Sequence, residues 1–268
     1  MQTVLERLNQ IWSATNSLVC VGLDSEPSKI PAFLKGDILT FNKQIIDATA
    51  SLVCAYKPQI AHYAAIGAEK ELEKTIHYIK SKYPHVYVVL DSKRGDIGNT
   101  AQMYAKEAFE RYAADAVTVN PYLGFDSLEP FLNYKEKGVI VLCRTSNPSA
   151  KDFQDMLVEG KPLYMHVAER ATTEWNTHQN VSLVVGATYP QEIRAVRGIV
   201  GDMPLLVPGI GAQGGDVKAT VLAGIDSKKR GMLINSSRAI LYAGSEEDFA
   251  EKAAKAALAL KEEINSFR

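Results

Sequence analysis

The sequence predicts a single-domain α/β protein, a (β/α)8 TIM barrel, on three observations. Short β-branched apolar runs alternate with amphipathic helical segments along the whole chain. At 268 residues the chain exceeds one minimal core of about 100–150 residues but suits an α/β barrel of roughly 250. No Pro-, Gly- or Ser-rich linker or composition break divides it, so one catalytic domain over residues 1–268 is expected.

The first run, Leu18–Asp24, is apolar until a terminal carboxylate and precedes the amphipathic segment Ile38–Ser51. Leu52–Lys57 ends on an ammonium and leads to the helical Ala68–Lys82. Val86–Asp91 precedes Thr100–Ala113, and Ala116–Asn120 precedes Ser127–Lys137. Gly138–Thr145 is followed by Leu163–Asn176, and Val181–Gly186 by Gln191–Arg197. Pro204–Pro208 with Asp216–Ala223, then Gly231–Ser236 with Glu246–Ile264, complete eight strand–helix units. Unbroken apolar runs bounded by polar or Gly/Pro residues suit parallel strands covered on both faces. Eight such units favour a closed barrel over an open sheet.

Thirty Lys and Arg against 31 Asp and Glu leave a net charge of −1, which argues against a nucleic-acid or general polyanion binder. With 46% hydrophobic and 23% charged residues, the composition excludes disordered and fibrous classes. The longest apolar stretches are strand-length, well short of the ~20 residues of a membrane span. The N-terminal MQTVLERLNQIW lacks a signal-peptide core. Cys20, Cys54 and Cys143 lie inside apolar runs without CxxC or Cys/His spacing, so buried thiols are expected instead of disulfides or a zinc site. His62, His77, His85, His166 and His178 show no HxH or HExxH spacing and read as surface or packing residues. A cytoplasmic enzyme without metal, cofactor or membrane partner is the expectation.

In this architecture catalytic groups sit at the C-terminal ends of the strands. There the runs place Asp24, Lys57, Asp91 with Lys93, Asn120, Ser146, Thr188, the Gly209–Gln213 segment and Arg238. Polar residues often mark strand ends for no further reason, but that does not account for a Lys and an Asp ending neighbouring apolar strands.

The segment Asp91-Ser92-Lys93-Arg94-Gly95-Asp96 carries the clearest chemistry. If the strand runs on to Lys93, alternation puts Asp91 and Lys93 on one face, and an array Lys57, Asp91, Lys93, Asp96 follows. Flanking carboxylates favour the ammonium form of Lys93 and make it a positioned proton donor; a structural ion-pair network is the competing reading. In Val207-Pro208-Gly209-Ile210-Gly211-Ala212-Gln213-Gly214-Gly215, glycines let backbone N–H groups approach an anion. Arg238, after the next strand, supplies a guanidinium for charge-assisted phosphate contacts. Ser146, in Arg144-Thr145-Ser146-Asn147-Pro148, offers its hydroxyl to a polar ring, or simply forms a turn.

Together VGLDSEP, AYKPQ, DSKRGDIGNT, RTSNPSA, VPGIGAQGGD and NSSRAILY resemble the orotidine 5′-phosphate decarboxylase family, in its longer bacterial subgroup (type 2). The resemblance implies conversion of orotidine 5′-monophosphate to UMP, the last step of de novo pyrimidine synthesis, with no cofactor. It implies Lys93 as the acid that protonates the ring carbon losing CO2, and Asp91 beside the substrate carboxylate. Asp24 and Lys57 match ribose-hydroxyl ligands, Lys57 also holding Asp91, and Ser146 matches the pyrimidine contact. Gln213 and Arg238 match the phosphate clamp, with Pro208 and the backbone of Ser237 among the substrate-binding residues. Ser237 stands where many relatives have Gly. Asp96, Ile97 and Thr100 resemble a segment inserted into a partner's site, which implies a homodimer with shared active sites.

Three alternatives remain open to these residues. Hexulose-phosphate-type relatives share D-x-K-x-x-D but use magnesium and an acidic residue in place of Lys57; a Schiff-base aldolase would use Lys57 or Lys93; a non-catalytic barrel would bind phosphate without turnover. The Lys151–Pro162 insertion is expected to be a surface loop.

Overall fold

The computed structural model describes residues 2–210 and 215–268. Eight parallel strands close in sequential order around one barrel. They are β1 Val19–Gly22, β2 Ala55–Lys57, β3 Tyr87–Arg94 and β4 Ala116–Val119, then β5 Gly138–Arg144, β6 Val181–Val185, β7 Leu205–Pro208 and β8 Met232–Ser236. Closure is by β8 on β1, with Val19 opposite Ile234. Every barrel strand starts within an expected run, and only β3 outruns its own. Most are buried along their length, as parallel strands between a filled interior and a helical jacket must be.

The eight expected helical segments are present, and two are subdivided. Gly98–Lys106 and Leu163–Arg170 each continue into a π-helical turn, Glu107–Arg111 and Ala171–Trp175. The segment expected over Ser127–Lys137 is instead the helix Phe125–Leu132. An unexpected helix, Val4–Thr15, buries Val4, Leu8, Ile11 and Trp12. A capping box starts it: the Thr3 hydroxyl accepts the Glu6 amide, and the Glu6 carboxylate accepts the Thr3 amide. It lies across the N-terminal end of the barrel, where Arg7 pairs with Asp115 at 2.8 Å just ahead of β4. The catalytic mouth is therefore at the opposite end.

Two features depart from simple alternation. β3 runs three residues beyond Asp91 with a register shift between Leu90 and Arg94, and Lys93 adopts φ +49°. A non-glycine residue there is held by its surroundings, often at functional sites. The insertion after β5 is a short 3-10 turn, Pro148–Asp152, followed by a two-stranded hairpin of Leu157–Val158 and Lys161–Pro162. The three cysteines are buried free thiols, and burial pushes Cys20 and Cys143 up to about 12. Among the described residues no helix is long and apolar enough to cross a membrane.

Candidate active site

At the C-terminal ends of the strands lies a cavity of about 590 Å³. Its floor is one carboxylate shared by two ammonium groups. Lys57, the last residue of β2, donates to Asp91 Oδ2 at 2.8 Å, and Lys93 donates to Asp91 Oδ1 at 2.7 Å. Their environments differ: the Lys57 side chain is 5% exposed and that of Lys93 45%. One lysine is a buried strut and the other reaches into the open volume.

The sequence reading did not single out Thr118 of β4, which builds this floor. Its hydroxyl donates to Asp91 Oδ1 at 2.8 Å and accepts the backbone amides of Ser92 and Lys93, each at 2.9 Å. One side chain thus fixes both the carboxylate and the bulge that turns Lys93 out of strand geometry. The Asp91 amide donates to the Pro58 carbonyl at 2.9 Å, tying β3 to the end of β2. Asp91 and Lys93 do meet, but through a bulge and a positive φ instead of two-residue alternation.

Electrostatics follow from burial and pairing. Burial alone would raise the Asp91 carboxyl, but the charges of Lys57 and then Lys93 outweigh it, holding Asp91 well below the usual carboxylate range. Burial alone would lower Lys57, yet Asp91 and then Asp24 outweigh it and hold its ammonium above the ordinary lysine value. Asp91 and Lys57 thus hold each other as a −/+ pair.

Of the other expected residues, Asp24, Ser146, Pro208, Ser237 and Arg238 line the same cavity. Asp24 Oδ1 and Asn235 Oδ1 are buried without a hydrogen-bond partner among the described residues; such acceptors call for donors such as ligand hydroxyls. Ser237 sits against β1 because residue 22 is glycine: a Cβ at Gly22 would lie 1.9 Å from Ser237 Oγ. Leu142, Val184 and Ile210 give the cavity an apolar wall.

Asp96, Ile97 and Thr100 differ from the expected array. The described residues lining the cavity do not include them, and the Asp96 carboxylate accepts the Ile97 amide at 2.8 Å. Among the described residues Lys93 pairs with Asp91, and Ile97 is 57% exposed. Gln213 lies outside the described residues. His62, read as surface or packing, is half-buried and lines the cavity together with Glu26 and Lys29. Its position in the helix Ile60–Ala64, just past Lys57, was the only signal that would have placed it there.

Fold and site together define a (β/α)8-barrel enzyme whose titratable groups converge at the C-terminal mouth. Residues 17–253 match the model of the Orotidine 5'-phosphate decarboxylase / HUMPS family, and the chain belongs to that family. It is 57% identical to the orotidine 5'-phosphate decarboxylase of Janthinobacterium sp. (strain Marseille) over 99% of both chains. With that of Ralstonia pickettii (strain 12J) it shares 59% identity over 98% of both. The structure of Leishmania donovani OMP decarboxylase superposes with a TM-score of 0.86 at 40% identity, covering 99% of this chain and 98% of that one.

Proposed function

We propose that this chain is a cytoplasmic, single-domain decarboxylase of orotidine 5′-monophosphate, yielding UMP and CO2 with Lys93 as the proton donor. The observation that carries this reading is the Asp91 carboxylate bridging Lys57 and Lys93 on the cavity floor. Full-length identity to proteins named for this activity supports the substrate.

The bond between the ring carbon and the carboxylate breaks, and its electron pair stays on that carbon in the ring plane, where the π system does not delocalise it. A preorganised cation is then the effective stabiliser. The Lys93 ammonium faces the developing charge and transfers its proton to that carbon. The resulting amine regains a proton from solvent, to which this side chain is open. Asp91 keeps Lys93 aimed and lies beside the substrate carboxylate, while Lys57 holds Asp91 ionised. Asp24, with its unpartnered oxygen, and Lys57 take ribose hydroxyls; Ser146 takes the pyrimidine; Pro208, Gln213, Ser237 and Arg238 hold the phosphate end. Phosphate contacts far from the reacting carbon supply orientation. Asp96, Ile97 and Thr100, outside their own chain's cavity, fit a role in a partner's site within a homodimer.

Lys57 favours decarboxylation over the sugar-phosphate chemistry grouped in the same family. Both Asp91 oxygens already accept from ammonium groups, which leaves this carboxylate poorly suited to a metal. The test is loss of the orotate ultraviolet band on mixing the protein with orotidine 5′-monophosphate and a chelator. Turnover that persists supports the reading, and turnover abolished by the chelator contradicts it.

A further inference from the structure

The insertion after β5 contains one residue set apart from its neighbours. Gln154 is half-buried, whereas residues 151–153 and 155–160 are exposed. We propose that Gln154 is a positioning residue for the pyrimidine subsite, its carboxamide clamping the turn that presents Ser146. This rests on the reading of Ser146 as the pyrimidine contact and assigns that contact its support.

The clamp has two jaws on one planar group. Gln154 Oε1 accepts the Thr145 backbone amide at 2.8 Å, and Gln154 Nε2 donates to Thr145 Oγ1 at 2.9 Å. The Thr145 hydroxyl then donates to Asn147 Oδ1 at 2.7 Å, so both residues flanking Ser146 are held through one side chain. Thr145, Ser146 and Asn147 all line the cavity. Across from the clamp, Gly186 closes the other side: a Cβ there would lie 2.8 Å from Ser146 Cβ and 3.0 Å from its Cα. Ser146 is enclosed between the end of β6 and the clamped turn.

Gln154 is itself fixed. Its amide donates to the Ala150 carbonyl at 2.8 Å and its carbonyl accepts the Tyr164 amide at 3.1 Å. Beneath it, buried Arg144 reaches Gln154 Oε1 at 3.3 Å while pairing with Glu192 at 2.9 Å and Asp155 at 3.3 Å. Only a carboxamide offers the acceptor and the donor that Thr145 requires. Glutamate keeps the acceptor alone and alanine keeps neither.

Inhibition constants for UMP and ribose 5-phosphate, measured against decarboxylation by wild type, Gln154→Ala and Gln154→Glu, test the clamp. Losing the two hydrogen bonds to Thr145 in Gln154→Ala should weaken UMP about tenfold and raise KM similarly. Ribose 5-phosphate, which lacks the pyrimidine, should change less than about twofold, and Gln154→Glu should weaken UMP only about threefold. Unchanged UMP inhibition in Gln154→Ala, or equal weakening of both ligands, overturns the clamp. If Gln154→Ala does not fold, the ratio of the two constants in Gln154→Glu decides, and a wild-type ratio overturns it. A wild type that neither turns over nor binds UMP overturns the activity itself, a result distinct from an active wild type matched by Gln154→Ala.

Discussion

The Thr118 hydroxyl accepts the backbone amide of Lys93 at 2.9 Å while donating to Asp91 Oδ1 at 2.8 Å. A single oxygen on β4 therefore joins the backbone of the proposed acid to the carboxylate that aims its ammonium. Exposed strand termini are ordinarily free to relax, and this one is not.

Removing that oxygen should cost stability and rate together. Thr118→Val leaves the Ser92 and Lys93 amides without their acceptor, a loss of about 1–3 kcal/mol, and releases the bulge. We expect a lower denaturation midpoint and a reduced kcat, with both largely restored in Thr118→Ser, which keeps the hydroxyl. A Thr118→Val protein as stable and active as wild type would show that the oxygen is not needed.

The Asp91–Lys57 pair sets a distinctive pH response. Asp91 is depressed in the folded protein, so its stabilisation is complete above the unfolded carboxylate value of about 3.9 and fades only as pH falls through the lower folded value. Lys57 is raised, so its contribution is complete below the unfolded lysine value of about 10.4 and fades as pH rises through the higher folded value. The pair adds no slope to melting temperature between about pH 5 and about pH 9. In Asp91→Asn, Lys57 keeps its burial but loses its nearest counter-charge, a destabilisation of about 3–5 kcal/mol. With Asp91 gone, burial lowers its folded value against only the more distant Asp24, so the variant should regain stability as pH rises toward the unfolded lysine value of about 10.4. Melting curves against pH check this, and parallel profiles for variant and wild type would contradict it.

Arg238 is exposed at the cavity rim and is read as a phosphate ligand. Charged hydrogen bonds contribute about 1.5–3 kcal/mol, so Arg238→Ala should weaken UMP roughly 10- to 100-fold and leave uridine affinity nearly unchanged. An unaltered inhibition constant for UMP would remove Arg238 from the clamp.

Asp96 is not among the described residues lining its own cavity, and its carboxylate accepts the Ile97 amide. If it serves a partner's site, inactive Asp96→Ala and Lys93→Ala proteins should recover activity when mixed and allowed to exchange subunits. Up to about one site in four should then be intact, from random pairing of the two chains. No recovery in mixed dimers would confine each site to one chain.

The barrel was legible because parallel strands buried on both faces must be written as unbroken apolar runs, and all eight were. Lys57, Asp91 and Lys93 were legible because charge at the end of such a run has few structural uses. Thr118 was not, since its role depends on a register shift between β3 and β4 that no local pattern encodes. The N-terminal helix was legible but overlooked: Val4, Leu8, Ile11 and Trp12 carry helical spacing, and Thr3 with Glu6 spells a capping box. Gln154 sits in a segment whose sequence looks like surface loop, and only its partners in space distinguish it.

The central claim is that Lys93 delivers the proton, and single-turnover decarboxylation by Lys93→Ala with parallel UMP binding tests it most directly. Loss of proton transfer alone should slow the reaction by roughly 10²–10⁴, and loss of the cation facing the carbanion should slow it further. UMP affinity should stay within a few-fold of wild type, as expected for a group acting in the transition state. Decarboxylation near the wild-type rate in Lys93→Ala would contradict the account.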